Sequence, residues 1–335
     1  LKPCPLQRRA PAASRSPART RMSEATDTVP AGDFYQEYHG HRPEHLETVC
    51  RGLRRDGARL VFLAGDSSLD NKHWLFDSFA PKAEQLSRPS GFVAQALNGY
   101  EALLRPPLMV KDVCYFLNRE CQARTAGSAQ RTIAVNTAVE ESCLSDREVR
   151  GLLPQDDFIR THIREDDILV VDVGGNDVAL KPTSGVIMNM ALLLYCTPTL
   201  LIKNLPFAAP GLYYFLHMFR VRLRRYIEQL IEVKRPKKVV VCMLYFLDER
   251  SGGSWADGVL SQLGYDTNPE KLQAVIRQVY HWGVSWISIP GVEVVPMPLF
   301  EVLDGKNTDD YVQRVEPSVQ GGEKMARALA EQIFA

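Results

Sequence analysis

The serine at position 67 stands where a nucleophile could act. Residues 59–64 form a short apolar run that predicts a buried strand, and Gly65, Asp66 and Ser67 follow it directly. Ligands bind at the carboxyl ends of strands in open α/β sheets, so the Ser67 hydroxyl is expected at such an edge. There it can attack an ester carbonyl, and a helix beginning behind it would favour negative charge on the attacked oxygen. A plain turn in which Asp66 or Ser67 caps a helix would leave the same pattern.

Two further turns carry candidate donors for that oxygen. Residues 168–173 form the clearest strand, and the segment Gly-Gly-Asn-Asp at 174–177 follows it. The side-chain amide of Asn176 could donate to the oxyanion. A shorter strand at 132–135 is followed by Asn-Thr-Ala, where the backbone N–H of Ala138 could be another donor. Taken alone, each is also an ordinary loop.

The order, strand placement and spacing of these turns together resemble the SGNH, or GDSL-type, hydrolase family over residues 58–335, with a long interruption at 178–235. The resemblance implies that Ser67 is the nucleophile of an ester hydrolase. It also implies an oxyanion hole made by Ser67, Ala138 and Asn176, although Ala138 stands where the family usually has glycine. The residues implied to support these turns are Gly65, Asp66, Gly174, Gly175 and Asp177.

The last block of the resemblance departs from the family pattern. The family supplies its acid and base from Asp-x-x-His, whereas here Gln313 and Glu316 take those two positions. Three interpretations are open. Glu316 is the base, with a pKa raised by burial; another histidine, such as His73, reaches the serine; or the enzyme is inactive and Asp309 or Asp310 pairs with Arg314. A carboxylate at the entry of a helix would also explain Glu316.

Strands alternate with helices from about residue 43 onward. The apolar runs predict strands at 59–64, 132–135, 168–173, 239–244 and 286–289, with residues 292–297 a sixth strand or a loop. Amphipathic patterns predict helices over 271–282 and from about 319 to 334. The predicted fold is therefore α/β, a three-layer α/β/α sandwich around a parallel sheet of about five strands. The family resemblance implies the flavodoxin-like version of this fold.

A strongly apolar segment interrupts the domain at about 178–235. Residues 182–202 carry no charge until Lys203, and residues 205–219 are rich in aromatic side chains. Core helices of an inserted cap, a lid that accepts an acyl chain, and a transmembrane span are alternative interpretations. The segment 182–225 ends in an arginine run, so contact with a membrane is a further hypothesis. The alternative is that these arginines lie on a helix face exposed to solvent.

The composition narrows the function classes. The chain has 40 basic and 40 acidic residues, so no net charge favours nucleic acid as a partner. Seven cysteines at wide spacings predict neither disulfides nor a metal site, and we expect no cofactor and an intracellular location. Residues 1–42 are predicted to be a disordered or leader segment before a domain at 43–335. The basic stretch 1–21 resembles an organelle transit peptide, unless translation begins at Met22.

These patterns favour a serine-dependent hydrolase of carboxylic esters, acting on a small-molecule ester that is an acetyl ester or a lipid. Two alternatives remain at this stage. A relative that has lost its base would keep the pocket and bind a ligand without turnover. An acyltransferase would use the same serine and differ only in the acceptor of the acyl group.

Overall fold

The computed structural model describes residues 27–77 and 80–335 of the chain. The transit-peptide prediction for residues 1–21 lies outside this part. Residues 27–42 belong to the domain, which corrects the predicted boundary at residue 43. They form the short strand Val29–Pro30 and the short helix Ala31–Phe34, and the Phe34 side chain is buried. The aromatic side chains of this segment reach the core, which explains why it packs on the domain.

Five parallel strands form the central sheet. They are β1 (Arg59–Gly65), β2 (Thr132–Asn136), β3 (Ile168–Asp172), β4 (Lys238–Met243) and β5 (Glu293–Pro298). Their spatial order is β2-β1-β3-β4-β5, which is the flavodoxin-like order of doubly wound sheets. In that order the chain changes direction of winding between β1 and β3, and the ends of these two strands carry Ser67 and Asn176. The predicted fold class is confirmed.

Helices cover both faces of the sheet. Alternate residues of each strand point to opposite faces, so the strands contribute to two apolar layers. One layer contains Val61 and Leu63 with helices α2 and α12, and the other contains Leu60 and Phe62 with α1, α4, α9 and α11. The α-helices longer than four residues are α1 (Pro43–Leu53), α2 (Val113–Arg124), α3 (Leu144–Arg150), α4 (Pro154–His162), α5 (Gly175–Ala179), α6 (Ser184–Cys196), α7 (Thr199–Asn204), α8 (Leu212–His217), α9 (Leu223–Leu230), α10 (Asp257–Gln262), α11 (Pro269–Trp282) and α12 (Val319–Phe334).

The fifth strand lies later in the chain than the sequence predicts. Residues 286–289 are not a strand; Trp286 ends a single 3-10 turn at Val284–Trp286, and Ile287 and Ile289 after it are buried in the core beside the sheet. A turn closed by the Val292 N–H on the Ile289 carbonyl at 3.2 Å then leads into β5, which pairs with β4 over its whole length. The apolar residues Ile287 and Ile289 therefore pack beside the sheet, and the residues after the turn at 289–292 form strand β5.

The insertion is a set of short helices, as predicted for a helical cap. The apolar run is broken at Thr197-Pro198 between α6 and α7, and a π-helical turn at Met218–Arg222 joins α8 to α9. No helix in the described ranges is both long and apolar enough to cross a membrane. The buried side chains Val186, Leu193 and Phe215 join the larger of the two apolar layers. The insertion thus packs as part of the domain.

Candidate active site

Ser67 lies on a tight turn at the carboxyl end of β1 and is almost fully buried. The Leu69 and Asp70 N–H groups donate to the Asp66 carbonyl at 3.1 and 2.9 Å, which closes a single turn. Only a four-residue helix, Lys72–Leu75, follows it. The helix expected directly behind Ser67 is therefore absent from this described stretch, and the Leu69, Asp70 and Ser68 N–H groups of the turn are bonded to Asp66.

Glycine at position 65 is required by the close approach of β3. A Cβ atom there would lie 2.5 Å from the Asp172 carbonyl oxygen, which belongs to the neighbouring strand. The Asp66 N–H donates to that same carbonyl at 3.2 Å. These contacts hold the turn against the end of β3, at the same sheet edge as the Asn176 turn.

Asn176 comes to the same cavity from the end of β3. Gly174 has φ of 113° and precedes α5, and a Cβ atom on it would lie 2.8 Å from the Phe219 ring. The Asn176 Nδ2 donates to the Ser142 carbonyl at 3.2 Å, which orients the amide. An amide nitrogen has two N–H groups, so one remains for a ligand. Ser67 and Asn176 line one cavity, as their positions after neighbouring strands predict.

Ala138 does not reach this cavity, contrary to the oxyanion-hole prediction. Its N–H donates to the Asn136 Oδ1 at 3.1 Å, and the residue is fully buried. The flanking N–H groups of Thr137 and Val139 bind carbonyls of β1 at 3.1 and 3.0 Å, so this loop continues the sheet pairing. The donors left near the nucleophile are the Asn176 amide and the Ser67 N–H, for which the described residues offer no partner.

Glu316 is buried and faces the Ser67 hydroxyl. Burial raises the pKa of its carboxyl to about 8, while the nearby Ser67 hydroxyl lowers it and the charges of Asp66 and Asp70 raise it further. Its Oε2 atom is buried and has no hydrogen-bond partner within the described residues. A carboxylate in this state lacks the donors that normally stabilise negative charge, which makes it a strong proton acceptor once it is ionised.

A strained hairpin carries Glu316 into the site. Residues Tyr311–Val312 pair with Glu316–Pro317, and Gln313 and Arg314 between them have φ of 53° and 67°. Such left-handed backbone costs side-chain-bearing residues free energy and persists where the surroundings hold it. The side-chain contacts of Arg314 stabilise this backbone conformation.

The interactions of Arg314 correct a second expectation. Its guanidinium contacts Asp257 and Asp266 at 2.8 and 2.9 Å and does not pair with Asp309 or Asp310. The carboxylate of Asp310 instead contacts Lys324 at 2.7 Å. Arg314 is nearly buried, so it anchors the hairpin between the loop after β4 and the site.

Two amide side chains complete the attachment of this hairpin. Gln313 is exposed, and its Oε1 accepts the Trp255 N–H at 3.1 Å, so it does not act as the acid behind Glu316. Asn71 donates to the Pro317 carbonyl at 2.9 Å and accepts the N–H of Val113 at 3.2 Å. Asn71 therefore ties the base-bearing hairpin to the turn that carries Ser67.

No imidazole is available to Ser67. The structure describes all seven histidines, and none lines the cavity that Ser67 and Glu316 share. His73, the closest in sequence, packs edge-on against the Tyr38 ring at 4.4 Å, and His162 contacts Glu47 at 2.6 Å. Nor are three His, Cys, Asp or Glu side chains grouped as metal ligands in the described ranges. The histidine hypothesis therefore has no support in the geometry.

Glu140 and Asp70 are buried acids whose charges interact with Glu316, although neither lines the cavity, and sequence reasoning missed both. Burial raises the pKa of Glu140 to about 9, with further raising by the charge of Glu316, and its Oε1 accepts the Trp74 indole N–H at 3.0 Å. Asp70 binds the buried Lys72 at 2.7 Å and accepts the Glu140 N–H at 3.2 Å. The signal was the acidic pair at 140–141 in the loop after β2, directly beyond the predicted donor.

The three remaining carboxylates at the strand ends have different surroundings. Burial raises the pKa of Asp66 to about 6, which the Ser68 N–H at 3.1 Å on its Oδ1 opposes. Burial and the charge of Asp66 also raise the pKa of Asp172, at the end of β3. Asp177 accepts the N–H groups of Leu144 and Ser145 at 2.6 and 2.8 Å. Asp177 therefore caps helix α3 rather than facing the ligand.

The cavity beside Ser67 holds about 900 Å³ of empty space, including its mouth. Its polar groups lie together at the end formed by the Ser67 and Asn176 turns and the Glu316 hairpin. Helix α11 and the insertion supply most of its apolar wall. The apolar lining residues are Val178, Ala179, Met190, Phe215, Phe219, Met243, Leu244, Leu247, Leu263, Leu272, Val275, Ile276, Val279 and Val315.

No protein-family model matches the chain, and no curated protein matches it by sequence. Solved structures of similar fold include a lipase from a goat rumen metagenome, with 13% identity, a TM-score of 0.44, and coverage of 82% of this chain and 97% of that one. A carbohydrate acetylesterase from Sinorhizobium meliloti has 12% identity, a TM-score of 0.43, and coverage of 82% and 98%. An acetylxylan esterase from Geobacillus stearothermophilus has 15% identity, a TM-score of 0.40, and coverage of 83% and 95%. No activity follows from likenesses this distant.

Proposed function

We propose that the protein is a serine-dependent hydrolase of carboxylic esters in which Glu316 is the general base. The observation that carries this proposal is the buried Glu316 carboxyl beside the Ser67 hydroxyl, in a cavity that Asn176 also lines. A nucleophile, a base and an amide donor are thereby gathered at one sheet edge. These are the parts that acyl transfer through a serine requires.

The geometry supports a two-step reaction. Ionised Glu316 accepts the Ser67 hydroxyl proton as Oγ attacks the ester carbonyl carbon, and the carbonyl electron pair moves to the oxygen. The Ser67 N–H and the Asn176 amide donate to that oxyanion. The intermediate then collapses, the carbon–oxygen bond to the alcohol breaks, and Glu316 returns its proton to the departing alkoxide.

Water completes the cycle in the place of the alcohol. Glu316 accepts a proton from the water as its oxygen attacks the acyl carbon, and the second intermediate collapses to the acid. Ser67 Oγ leaves as an alkoxide and recovers the proton from Glu316. Each proton that Glu316 accepts is returned, so the carboxyl enters the next turnover ionised.

The proposal is tested by hydrolysis of a panel of p-nitrophenyl esters. Ser67→Ala is expected to abolish turnover above the background rate. Ser261→Ala is the matched control, because Ser261 is exposed on α10 and does not line the cavity. Folding of each variant is checked by thermal denaturation. Wild-type turnover that survives Ser67→Ala would overturn the proposal, as would a folded wild type without turnover on every ester.

The alternatives make different predictions in the same assay. A protein that only binds its ligand gives no turnover in the wild type. An acyltransferase gives faster release of p-nitrophenol when an alcohol acceptor is added, with an ester product that gas chromatography detects. A hydrolase gives the free acid at a rate that does not depend on the acceptor.

We also propose that the insertion at 182–225 contacts a lipid surface. Eleven large apolar side chains are exposed in the described ranges, and seven of these lie between Ile187 and Tyr213. Arg222 and Arg224 are paired with Glu148 and Glu228, so the apolar side chains rather than the arginine run carry this proposal. Apolar side chains on short helices insert at the boundary of headgroups and acyl chains.

Cosedimentation with phosphatidylcholine vesicles tests the contact. Replacing Leu200 and Phe207 by serine is expected to release the protein into the supernatant, since both are more than two-thirds exposed. Val149→Ser is the matched control, because Val149 is exposed at 85% but lies outside the insertion. Binding that the Leu200 and Phe207 replacements leave unchanged would contradict the proposal.

A further inference from the structure

The cavity beside Ser67 separates polar from apolar surface along its length. At the reacting end lie the side chains of Asp66, Ser67, Ser68, Asn176 and Glu316, and the hydroxyl of Tyr245, which also lines the cavity, donates to the Val315 carbonyl. Away from that end the wall consists of aliphatic and aromatic groups, and no lysine, arginine or histidine is among the residues that line the cavity. A ligand bound there would therefore have its polar group at Ser67 and a chain without charge or hydroxyl groups beyond it.

Helix α11 sets the length of the apolar wall. Leu272, Val275, Ile276 and Val279 line the cavity from successive turns of this helix. Seven residues separate the first from the last, which at 1.5 Å per residue is about 10 Å along the helix axis. That distance is about the length of an extended octanoyl chain.

The insertion closes the opposite side. Met190 of α6, Phe215 of α8 and Phe219 of the π-helical turn line the same cavity. The Phe219 ring lies against Gly174, because a Cβ atom at Gly174 would be only 2.8 Å from it. The apolar enclosure therefore begins immediately beside the Asn176 turn and extends away from it.

An acetyl group would leave most of this enclosure empty. Clefts that bind small molecules bury most of the ligand surface, and unfilled apolar walls contribute nothing to binding. Acyl chains and alcohol chains are also different occupants. An acyl chain stays in place through both steps while water replaces the alcohol, whereas an alcohol chain departs after the first step.

We propose that the cavity binds the acyl chain of the substrate, and that this chain is of hexanoyl to decanoyl length. The inference rests on the proposed ester hydrolysis at Ser67 and deepens it by naming the substrate class. The enzyme is thus a medium-chain acyl esterase, and acetyl esters are poor substrates.

Two ester series test the inference with the wild-type protein. In p-nitrophenyl esters from acetate to decanoate, kcat/KM is expected to rise about fourfold for each added methylene until the cavity is filled. In alkyl acetates from ethyl to decyl, the alcohol chain is varied instead, and no comparable rise is expected. A series that is flat or falls from acetate overturns the inference, and so does a rise confined to the alkyl acetates.

A filling variant tests the cavity wall. Val279→Phe adds volume to the apolar wall and is expected to lower kcat/KM on the decanoyl ester by about sixteenfold or more, the effect of excluding two methylenes, while the butanoyl ester is affected less. Gln278→Phe places the same side chain on the adjacent, partly exposed position of α11, outside the cavity lining. Equal losses on both esters in Val279→Phe would overturn the assignment if the variant remains folded.

Binding of esters to the Ser67→Ala variant distinguishes the proposed hydrolysis from the proposed acyl-chain cavity. This test does not require the Val279→Phe or Gln278→Phe variant. Saturation-transfer NMR is expected to show binding of ethyl octanoate and none of ethyl acetate at the same concentration. Binding without wild-type turnover would overturn the proposed function and support the cavity assignment. Turnover of acetate without preference for octanoate, together with no octanoate binding, would overturn the cavity assignment and leave the proposed function standing.

Discussion

Replacing Glu316 by glutamine removes the proposed base while nearly preserving the shape of its side chain. The carboxyl is buried, and its pKa is raised to about 8. A general base contributes about a hundredfold to ten-thousandfold to the rate, so Glu316→Gln is expected to lower kcat/KM by that factor at pH 9. The loss measured at pH 9 is the full effect, since the wild-type carboxyl is mostly ionised there.

The same pKa predicts how the loss depends on pH. The base acts in its ionised form, so wild-type kcat/KM rises with pH and levels off above about pH 8. Two pH units below that midpoint about one hundredth of the carboxyl is ionised, and the wild-type rate falls by about the same factor. Glu316→Gln has no such titration, so the ratio of wild type to variant shrinks as the pH falls.

The assay is a pH profile of kcat/KM on one p-nitrophenyl ester between pH 6 and pH 9, in buffers of constant ionic strength. Glu323→Gln is the matched control, since Glu323 lies on α12, outside the cavity lining, and contacts the partly exposed Arg119 at 2.6 Å. Thermal denaturation at each pH shows whether the protein remains folded. A wild-type profile that is flat over this range, or a Glu316→Gln variant as active as the wild type at pH 9, would refute the assignment of the base.

Three further predictions concern neighbouring groups. The charge of Asp66 raises the pKa of Glu316, so Asp66→Asn, which keeps an oxygen for the Ser68 N–H, is expected to move the midpoint of the pH profile to lower pH; an unchanged or higher midpoint would contradict it. Asn176→Ala is expected to lower kcat by about a hundredfold to a thousandfold with little change in KM, as measured by steady-state kinetics on one ester; a change in KM alone would exclude an oxyanion role. Burial raises the pKa of Glu140 from 4.5 to about 9, so the folded protein holds a proton that the unfolded chain releases. Its contribution to stability therefore falls by about 1.4 kcal/mol per pH unit as the pH rises between these values, and urea denaturation of Glu140→Gln at pH 6 and 8.5 should show a smaller fall than the wild type; equal falls would contradict the buried acid.

The parts of the site that follow strand ends were predictable from the sequence. Apolar runs placed Ser67 and Asn176 at the ends of β1 and β3, and parallel strands bring such ends to one edge of the sheet. The position of Glu316 came from spacing within a resemblance, and the hairpin carries that residue into the cavity. Local sequence is sufficient to place Ser67 and Asn176, because the strands that precede them are among the strongest apolar runs of the chain.

The remaining features depend on long-range contacts that no local pattern reports. The N–H of Ala138 has the expected place in the sequence, but the loop pairs with β1 and directs that N–H to Asn136. Glu140 accepts a hydrogen bond from Trp74, which lies 66 residues away in the sequence. The sequence pattern misplaced the fifth strand because Ile287 and Ile289 are as apolar as the residues of a buried strand. Only their packing shows that they belong to the layer beside the sheet.

The central claim is that Ser67 is an activated nucleophile, and covalent labelling measures this most directly. The wild-type protein is treated with a fluorophosphonate at pH 8.5, and the modified residue is identified by mass spectrometry of its peptides. We predict a single adduct on Ser67 that forms far more slowly in Glu316→Gln. A folded wild-type protein that acquires no adduct, or whose adduct lies on another serine, would contradict the claim.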